Sequence, residues 1–359
     1  MKLYLTGSTD PYYNLAAEEY YLRNSEEDVF MLWQNEPTVV IGRNQNMYAE
    51  VELAYTEAHG IHVARRITGG GAVYHDLGNV CYTFITSREK ANVLDFAYFS
   101  APVLKAIEAL GIRAKLSGRN DLLAEIEPNV FAKFSGAAET ATKTRVLHHG
   151  TLLFDSDLQV LAKTLRPDPE KLRRKAIASV RSRVTNLRPL IGKARKEQDE
   201  AGLTGTCGYA AGREQGSMTT ADFFEYLISF AEKEWGTTRE PADREAILRS
   251  GFIERNASDN YNAGRRKDFS HKIKKYFPAG IVVLLWNESD GRFKDFTIEG
   301  DFFGETDAAI LAVRFEGAPC SEEGIREALR GMDAGSFIHG VTNEEFAAFI
   351  RSELSGPGG

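Results

Sequence analysis

Residues 65 to 76 read Arg-Arg-Ile-Thr-Gly-Gly-Gly-Ala-Val-Tyr-His-Asp. Three consecutive glycines let a backbone approach a ligand closely and aim its N–H groups at an anion. Arg65 and Arg66, just upstream, can supply the charge-assisted contacts that a phosphate or carboxylate takes. The same pattern also makes a tight hairpin turn flanked by surface arginines. It is neither a P-loop, since no Gly-Lys-Ser/Thr follows, nor a dinucleotide fingerprint, since position 74 is tyrosine. Lys133, in Ala-Lys-Phe-Ser-Gly-Ala-Ala, is the second candidate. A lysine pointing inward from an apolar strand needs an anionic partner. In an acyl-activating enzyme that partner would be a carboxylate and an α-phosphate, whose charge the lysine stabilises in the transition state. An edge lysine that protects a sheet is the alternative.

Asp121, beside Arg119 and Asn120, could hold a Mg2+ that bridges ATP phosphates, because Mg2+ usually takes only one or two protein carboxylates. A turn-forming Asn-Asp pair is the plainer reading. His148 and His149 are neighbours on a strand and face opposite ways, which argues against one zinc site made from both. No Gly-x-Ser-x-Gly elbow is present. Cys81 lies inside an apolar strand, where a buried thiol is inert.

Several elements must position these groups. Asp10-Pro11 followed by YYNLAAEEYYLRN predicts a capped amphipathic helix. VFMLWQN and TVVIGRN read as two buried strands parted by Glu36-Pro37, and strand character returns in IHVARRIT and GAVYHDLGNVCYTFIT. Residues 96–111 read as a helix ending at Gly111. NDLLAEI and NVFAKFSGAA form a hairpin-like pair around Glu127-Pro128-Asn129, and VLHHGTLLF is a further strand. Ser156 and Gln159 suggest a capping box for helix DLQVLAKTL, which Pro167 stops. Residues from about 190 to 217 read as a long glycine-punctuated loop before helix TTADFFEYLISFAEKEWG. NASDNYNAGRRKD reads as a polar linker. Beyond it come a strand pair, IVVLLWNE and GRFKDFTIEGDFF, and two capped helices, with Thr342 and Glu345 closing a capping box.

The chain has 359 residues, 43% of them hydrophobic, enough for two domains with full cores. Its net charge of −7 argues against bulk-charge binding of nucleic acid. Three well-separated cysteines, Cys81, Cys207 and Cys320, give no metal spacing and no disulfide framework. No stretch reaches membrane-span or signal length, and a cytoplasmic protein is expected.

Taken in order, Asn14-Leu15-Ala16-Ala17-Glu18, TVVIGRNQN, RRITGGGAVYHDLGN, SGRNDL, KFSGAA, HHGTLLFDSDL and SVRSRVTNL resemble the lipoate–protein ligase family nearly end to end. NYNAG and GDFFG are similar to its hinge and accessory domain. The resemblance implies an α/β (α+β) fold: a mixed-sheet catalytic domain over residues 1–264, a hinge at 265–268 and a small α+β accessory domain over 269–359. It implies that ATP activates lipoate, the substrate, as lipoyl-AMP with release of pyrophosphate, after which a carrier lysine expels AMP. Lys133 matches the essential lysine. Arg65, Gly70, Gly71, Ala72, Val73 and Asp121 match the nucleotide side, with Asp121 also at the Mg2+. Asn14, Leu15, Trp33, Arg65, His75, Lys133, His149 and Gly150 fall where the lipoyl chain binds. The implied partners are lipoyl domains of 2-oxoacid dehydrogenase acyltransferases and the glycine cleavage H protein, with the enzyme a monomer.

Two features depart from the family's pattern. Ala176 stands where glycine is usual, and the loop at 192–217 has no match. A transferase working through a thioester is the rival within the fold, but no cysteine lies between Lys133 and Cys207. A degenerate, non-catalytic lipoate- or carrier-binding relative is the non-enzymatic alternative. The basic run KLRRKAIASVRSR could dock an acidic carrier, and the small domain is expected to move when the adenylate forms.

Overall fold

The computed structural model describes residues 1–166, 184–191, 218–263 and 268–354. Ala176, the whole of KLRRKAIASVRSR, Pro167 and the loop 192–217 lie outside them, as do residues 265–267 of the expected hinge.

Asp10 starts the first helix, Pro11–Asn24: its carboxylate accepts from the N–H groups of Tyr12 and Tyr13, and Pro11 follows where no helical N–H bond is lost. The expectation of an amphipathic helix fails. Glu18 and Glu19 are among its buried residues, because the main sheet covers one side and the helices Arg244–Arg249 and Phe252–Ala257 cover another. Each acid has found a partner: Glu19 pairs with Arg23 and Arg255, and Glu18 with His149.

In chain order the strands are β1 (Lys2–Leu5), β2 (Val29–Trp33), β3 (Thr38–Ile41), β4 (His62–Arg65), β5 (Val73–His75), β6 (Asn79–Ser87) and β7 (Ala114–Ser117). Then come β8 (Asp121–Glu127), β9 (Val130–Ala141), β10 (Arg145–Leu153), β11 (Thr238–Pro241), β12 (His271–Phe277), β13 (Gly280–Ser289) and β14 (Arg292–Gly300). The main sheet is mixed, in the order β11-β1-β2-β6-β10-β9-β8-β7, parallel across β11, β1 and β2 and antiparallel beyond. β4-β3-β5 make a small second sheet. The strands either side of Glu36-Pro37 are fully buried as expected, yet they enter different sheets. That crossing opens the space in which the pocket described below lies.

One face of the main sheet packs on the first helix through Leu15, Met31, Trp33 and Cys81. The other packs on the helices Phe96–Glu108 and Thr220–Trp235 through Phe30, Tyr82, Phe84, Phe99 and Phe223. The hairpin around Pro128 is β8 and β9, and Asn129 takes its turn at φ +61°. Asp157, not Ser156, caps the helix Leu158–Thr164 by accepting from Gln159 and Val160 N–H. The longer acidic side chain one residue later reaches the exposed amides.

The C-terminal lobe packs β12-β13-β14 on helices that include Glu322–Ala328 and Asn343–Leu354. Its Thr342–Glu345 capping box is present. Strand β12 was missing from the sequence reading because His-Lys-Ile-Lys-Lys-Tyr-Phe is a charged edge strand that buries little besides Phe277. The linker reading of NASDNYNA is also corrected. Asn256 and Asn262 are buried, and Asn262 holds the backbone and side chain of Arg65. The lobes meet directly, with Gly70 N–H donating to Phe302 O at 3.2 Å and Gly300 N–H to Asn44 O at 2.8 Å.

A Cβ on Gly69 would lie 2.5 Å from Phe302 O. Gly69→Ala is therefore expected to push the C-terminal lobe off the glycine turn. Loss of about 1–1.5 kcal/mol of local stability would speed amide exchange at Gly70 about tenfold. Unchanged protection would show that the lobes accommodate the methyl.

Candidate active site

A cavity of about 120 Å³ lies between the main sheet, the small sheet and the first helix. Leu15 and Trp33 form one wall, Val40 and Gly70–Val73 another, and His75, Cys81, His149 and Gly150 line it further. Lys133, Asn120 and the small residues Gly136, Ala137 and Ala138 also line it. This is the shape an apolar chain needs, with cations at hand for a charged end.

A bulge aims the lysine. Leu122 pairs with Ser135 and Leu123 with Lys133, so Phe134 is an extra residue on β9. Phe134 drops fully into the core while Lys133 borders the cavity. Lys133 Nζ lies 2.7 Å from Asp121 Oδ1, and both side chains are about one-third exposed. Gly136 leaves room for this path: a Cβ there would meet Lys133 Nζ at 3.0 Å and shift the ammonium by a few tenths of an ångström. Thr185 N–H donates to Lys133 O at 2.9 Å and ties the strand down.

The glycine turn is clasped from behind by Arg66. Its Nη2 donates to Gly69 O at 2.7 Å and Gly71 O at 2.8 Å, its Nη1 to Val40 O at 3.1 Å, and its Nε to Thr68 Oγ1 at 2.8 Å. Burial pushes this guanidinium down to about 10, with Glu18 opposing the shift. It remains a cation at neutral pH. His75 accepts at Nδ1 from Asn35 Nδ2 at 3.1 Å, and burial, with help from Arg66 and His149, pushes it down to about 3. It is a neutral wall of the pocket. Cys81 Sγ sits 3.6 Å from His75 Nδ1, and burial raises the thiol well above its usual range. That keeps it protonated and unreactive.

The structure brings Leu15, Trp33, Gly70, Gly71, Ala72, Val73, His75, Lys133, His149 and Gly150 to one cavity. Asp121 joins them through its ion pair with Lys133. Two expected residues stand elsewhere. Asn14 lies behind the wall, where its Nδ2 donates to Ser8 O, Gln34 O and Asn35 Oδ1 and so props the asparagine that orients His75. Arg65 turns away from the cavity, its guanidinium on the carbonyls of Gly42, Arg43, Gln45, Tyr261 and Asn262. It lines instead a larger cleft of about 1050 Å³ between the lobes, with Arg43, Arg255, Glu299 and Asp307. Successive side chains on a strand face opposite ways, so only one of the two arginines can reach the pocket. Nothing in the local sequence says which. Asn120, Thr151 and Phe303 were not anticipated in this wall. Phe303 comes from the C-terminal lobe and packs on Phe96, Ala137 and Ala138 under the Arg119 guanidinium, 4.6 Å from its ring centre. His148 faces the opposite core and bonds Glu139 at 2.8 Å. Among the described residues no cluster of three or more His, Cys, Asp or Glu could hold a metal, and no helix is long and apolar enough to cross a membrane.

A half-open, largely apolar cavity beside a lysine–aspartate pair, on a mixed sheet, has the shape and charge to take an apolar chain that ends in an anion. Residues 10–200 match the model of the lipoyl protein ligase A/B catalytic domain, and residues 266–350 that of the bacterial lipoate protein ligase C-terminus. The chain belongs to the lipoate–protein ligase family. It is 32% identical to the lipoate–protein ligase LplJ of Bacillus subtilis, over 95% of this chain and 97% of that one. The identity to lipoate–protein ligase 1 of Staphylococcus aureus is also 32%, over 94% and 95%. In fold it resembles P. falciparum LipL1, solved in complex with lipoate, with a TM-score of 0.72 at 24% identity and 98% coverage of both chains. A bipartite lipoate–protein ligase of Thermoplasma acidophilum, solved in a study with its E2 lipoyl domain, gives a TM-score of 0.56 at 25% identity, covering 74% of this chain and 98% of that one.

The depressed His75 makes a prediction about acid. The unfolded chain takes up a proton on this histidine near its ordinary value of 6.5, while the folded protein resists until about 3. The unfolded state therefore binds more protons in that window, and stability must fall as pH drops through it. Burial shifts His148 in the same direction, although Glu139 opposes it. Urea midpoints should fall between pH 7.5 and 4.5, and less so in His75→Gln. An equally steep fall in the variant would remove His75 as a cause.

Proposed function

We propose that this enzyme activates lipoate with ATP as lipoyl-AMP and then transfers the lipoyl group to the lysine of a carrier domain. The observation that carries this reading is Lys133, aimed by a bulge along the edge of an apolar cavity and paired with Asp121 at 2.7 Å. Sequence identity of 32% to named lipoate–protein ligases over nearly the whole chain supports it.

In this reading the dithiolane and alkyl chain lie among Leu15, Trp33, His75, Cys81, His149 and Gly150, and the carboxylate reaches Lys133. The carboxylate attacks the α-phosphorus of ATP and pyrophosphate leaves. Lys133 holds the carboxylate and stabilises charge on the phosphoryl oxygens. Gly70, Gly71, Ala72 and Val73 present backbone to the same region. In the second step the uncharged amine of the carrier lysine attacks the acyl carbon, an amide bond forms and AMP leaves. No enzyme nucleophile is needed, which agrees with a protonated Cys81. A Mg2+ arriving with the ATP phosphates fits a lone oxygen donor such as Asp121, and would neutralise charge on the leaving pyrophosphate.

The carriers are lipoyl domains of 2-oxoacid dehydrogenase acyltransferases and the glycine cleavage H protein, met in the cytoplasm by a monomeric enzyme. Residues 1–264 act as the catalytic domain, 265–268 as the hinge and 269–359 as the accessory domain. Asn14 and Arg65 act at one remove, Asn14 through Asn35 and His75, Arg65 by bracing the strand beneath the glycine turn.

ATP–pyrophosphate exchange with lipoate, octanoate and biotin tests the first step. Exchange with lipoate should fall by at least about 10²- to 10³-fold in Lys133→Ala, the range for removing one group that stabilises developing charge. A folded wild type that exchanges with none of the acids would move the reading to a carrier-dependent transferase.

A further inference from the structure

The buried polar side chains behind the glycine turn form one connected run with a guanidinium at one end and a carboxylate at the other. Arg66 can only donate, and an ionised glutamate can only accept. Arg66 Nε donates to Thr68 Oγ1 at 2.8 Å, and Thr68 Oγ1 bonds His149 Nε2 at 2.9 Å, donating to it when the imidazole is neutral. His149 Nδ1 faces the Glu18 carboxylate and donates to it at 2.9 Å. From the other side Trp33 Nε1 donates to Thr83 Oγ1 at 2.9 Å, and Thr83 donates to Glu18 at 2.6 Å. All six residues are buried, with Glu18 at 1% and Arg66 at 5% exposure.

The far end of this run acts on the site. Arg66 holds the carbonyls of Gly69 and Gly71. A trans peptide sets its C=O and N–H on opposite sides, so both amides that follow, Gly70 and Ala72, must point away from the guanidinium. Gly70 N–H does so, meeting Phe302 O. Ala72 lies in the cavity wall.

We infer that Glu18 is a positioning residue for lipoate activation: through His149 and Thr68 it fixes the Arg66 guanidinium, which turns the Ala72 amide toward the charge that develops on the substrate. The inference rests on the proposed function. Direct pairing would not serve as well. A carboxylate paired with Arg66 at two points would need two N–H donors, and four of the five already hold Val40, Thr68, Gly69 and Gly71, so a loop contact would be lost. Two intervening side chains let Glu18 supply the compensating charge while all the loop contacts remain. Without that charge a wholly buried guanidinium would be strongly disfavoured.

The test is ATP–pyrophosphate exchange with lipoate, per folded molecule, in Glu18→Gln, Thr68→Val, their double variant and Thr68→Ser. Each of the first two should lower kcat roughly 10- to 100-fold, somewhat less than deleting a donor outright. The double variant should be no worse than the worse single, since both cut one chain. Thr68→Ser should restore most of the rate. Backbone 15N and 1H shifts of Gly70 and Ala72, read without substrate, should move in Glu18→Gln and Thr68→Val. Additive losses, or variants that only melt earlier while keeping kcat per folded molecule, would overturn the inference. Should the wild type show no exchange with lipoate, the ligase reading fails instead. The amide shifts then decide alone: movement in both variants supports the positioning chain, and none refutes it.

Discussion

Positive charge at the wall of a largely apolar cavity, buried at Arg66 and half-buried at Lys133, is the constraint on which much of this site depends. A guanidinium or ammonium removed from water needs compensation by an opposite charge, by oriented dipoles, or by both. Lys133 takes Asp121, and Arg66 takes four backbone and hydroxyl oxygens with Glu18 beyond them. The fold is arranged to deliver those partners. The first helix, covered on both sides, carries Glu18 inward, and the second sheet sets the glycine turn against the pocket.

The two cations are held in different ways, and the difference suits their work. Arg66 is locked among carbonyls and is part of the wall. Lys133 has one ionic partner at a partly open position. An arriving carboxylate or phosphate can therefore take over its ammonium by exchanging partners, with little rearrangement of the strand that presents it.

Much of this was legible in the sequence where local chemistry decides the outcome. Asp10-Pro11 placed the first helix, Pro128-Asn129 placed the β8–β9 hairpin, and Thr342 with Glu345 placed the last helix. The glycine turn and Lys133 were also found, because both depend on short-range pattern. What was missed depends on contacts distant in sequence. Whether Arg65 or Arg66 faces the pocket is set by the register of β4 against β3. The burial of Asn256 and Asn262 is set by the first helix and by Arg65, so their polar composition misled. Phe303 could not be assigned to the pocket from sequence, since it lies far along the chain from every other residue of that wall.

Phe303 also bears on how such an enzyme can diverge. Part of the wall of this cavity, Phe303, is encoded in the C-terminal lobe, so the two lobes are not interchangeable cassettes. A recombination that exchanged the C-terminal segment with that of a relative would import a foreign wall into the pocket. A change of volume at Phe303, or at Ala137 and Ala138 on which its ring rests, therefore calls for an answering change in the other half of the chain.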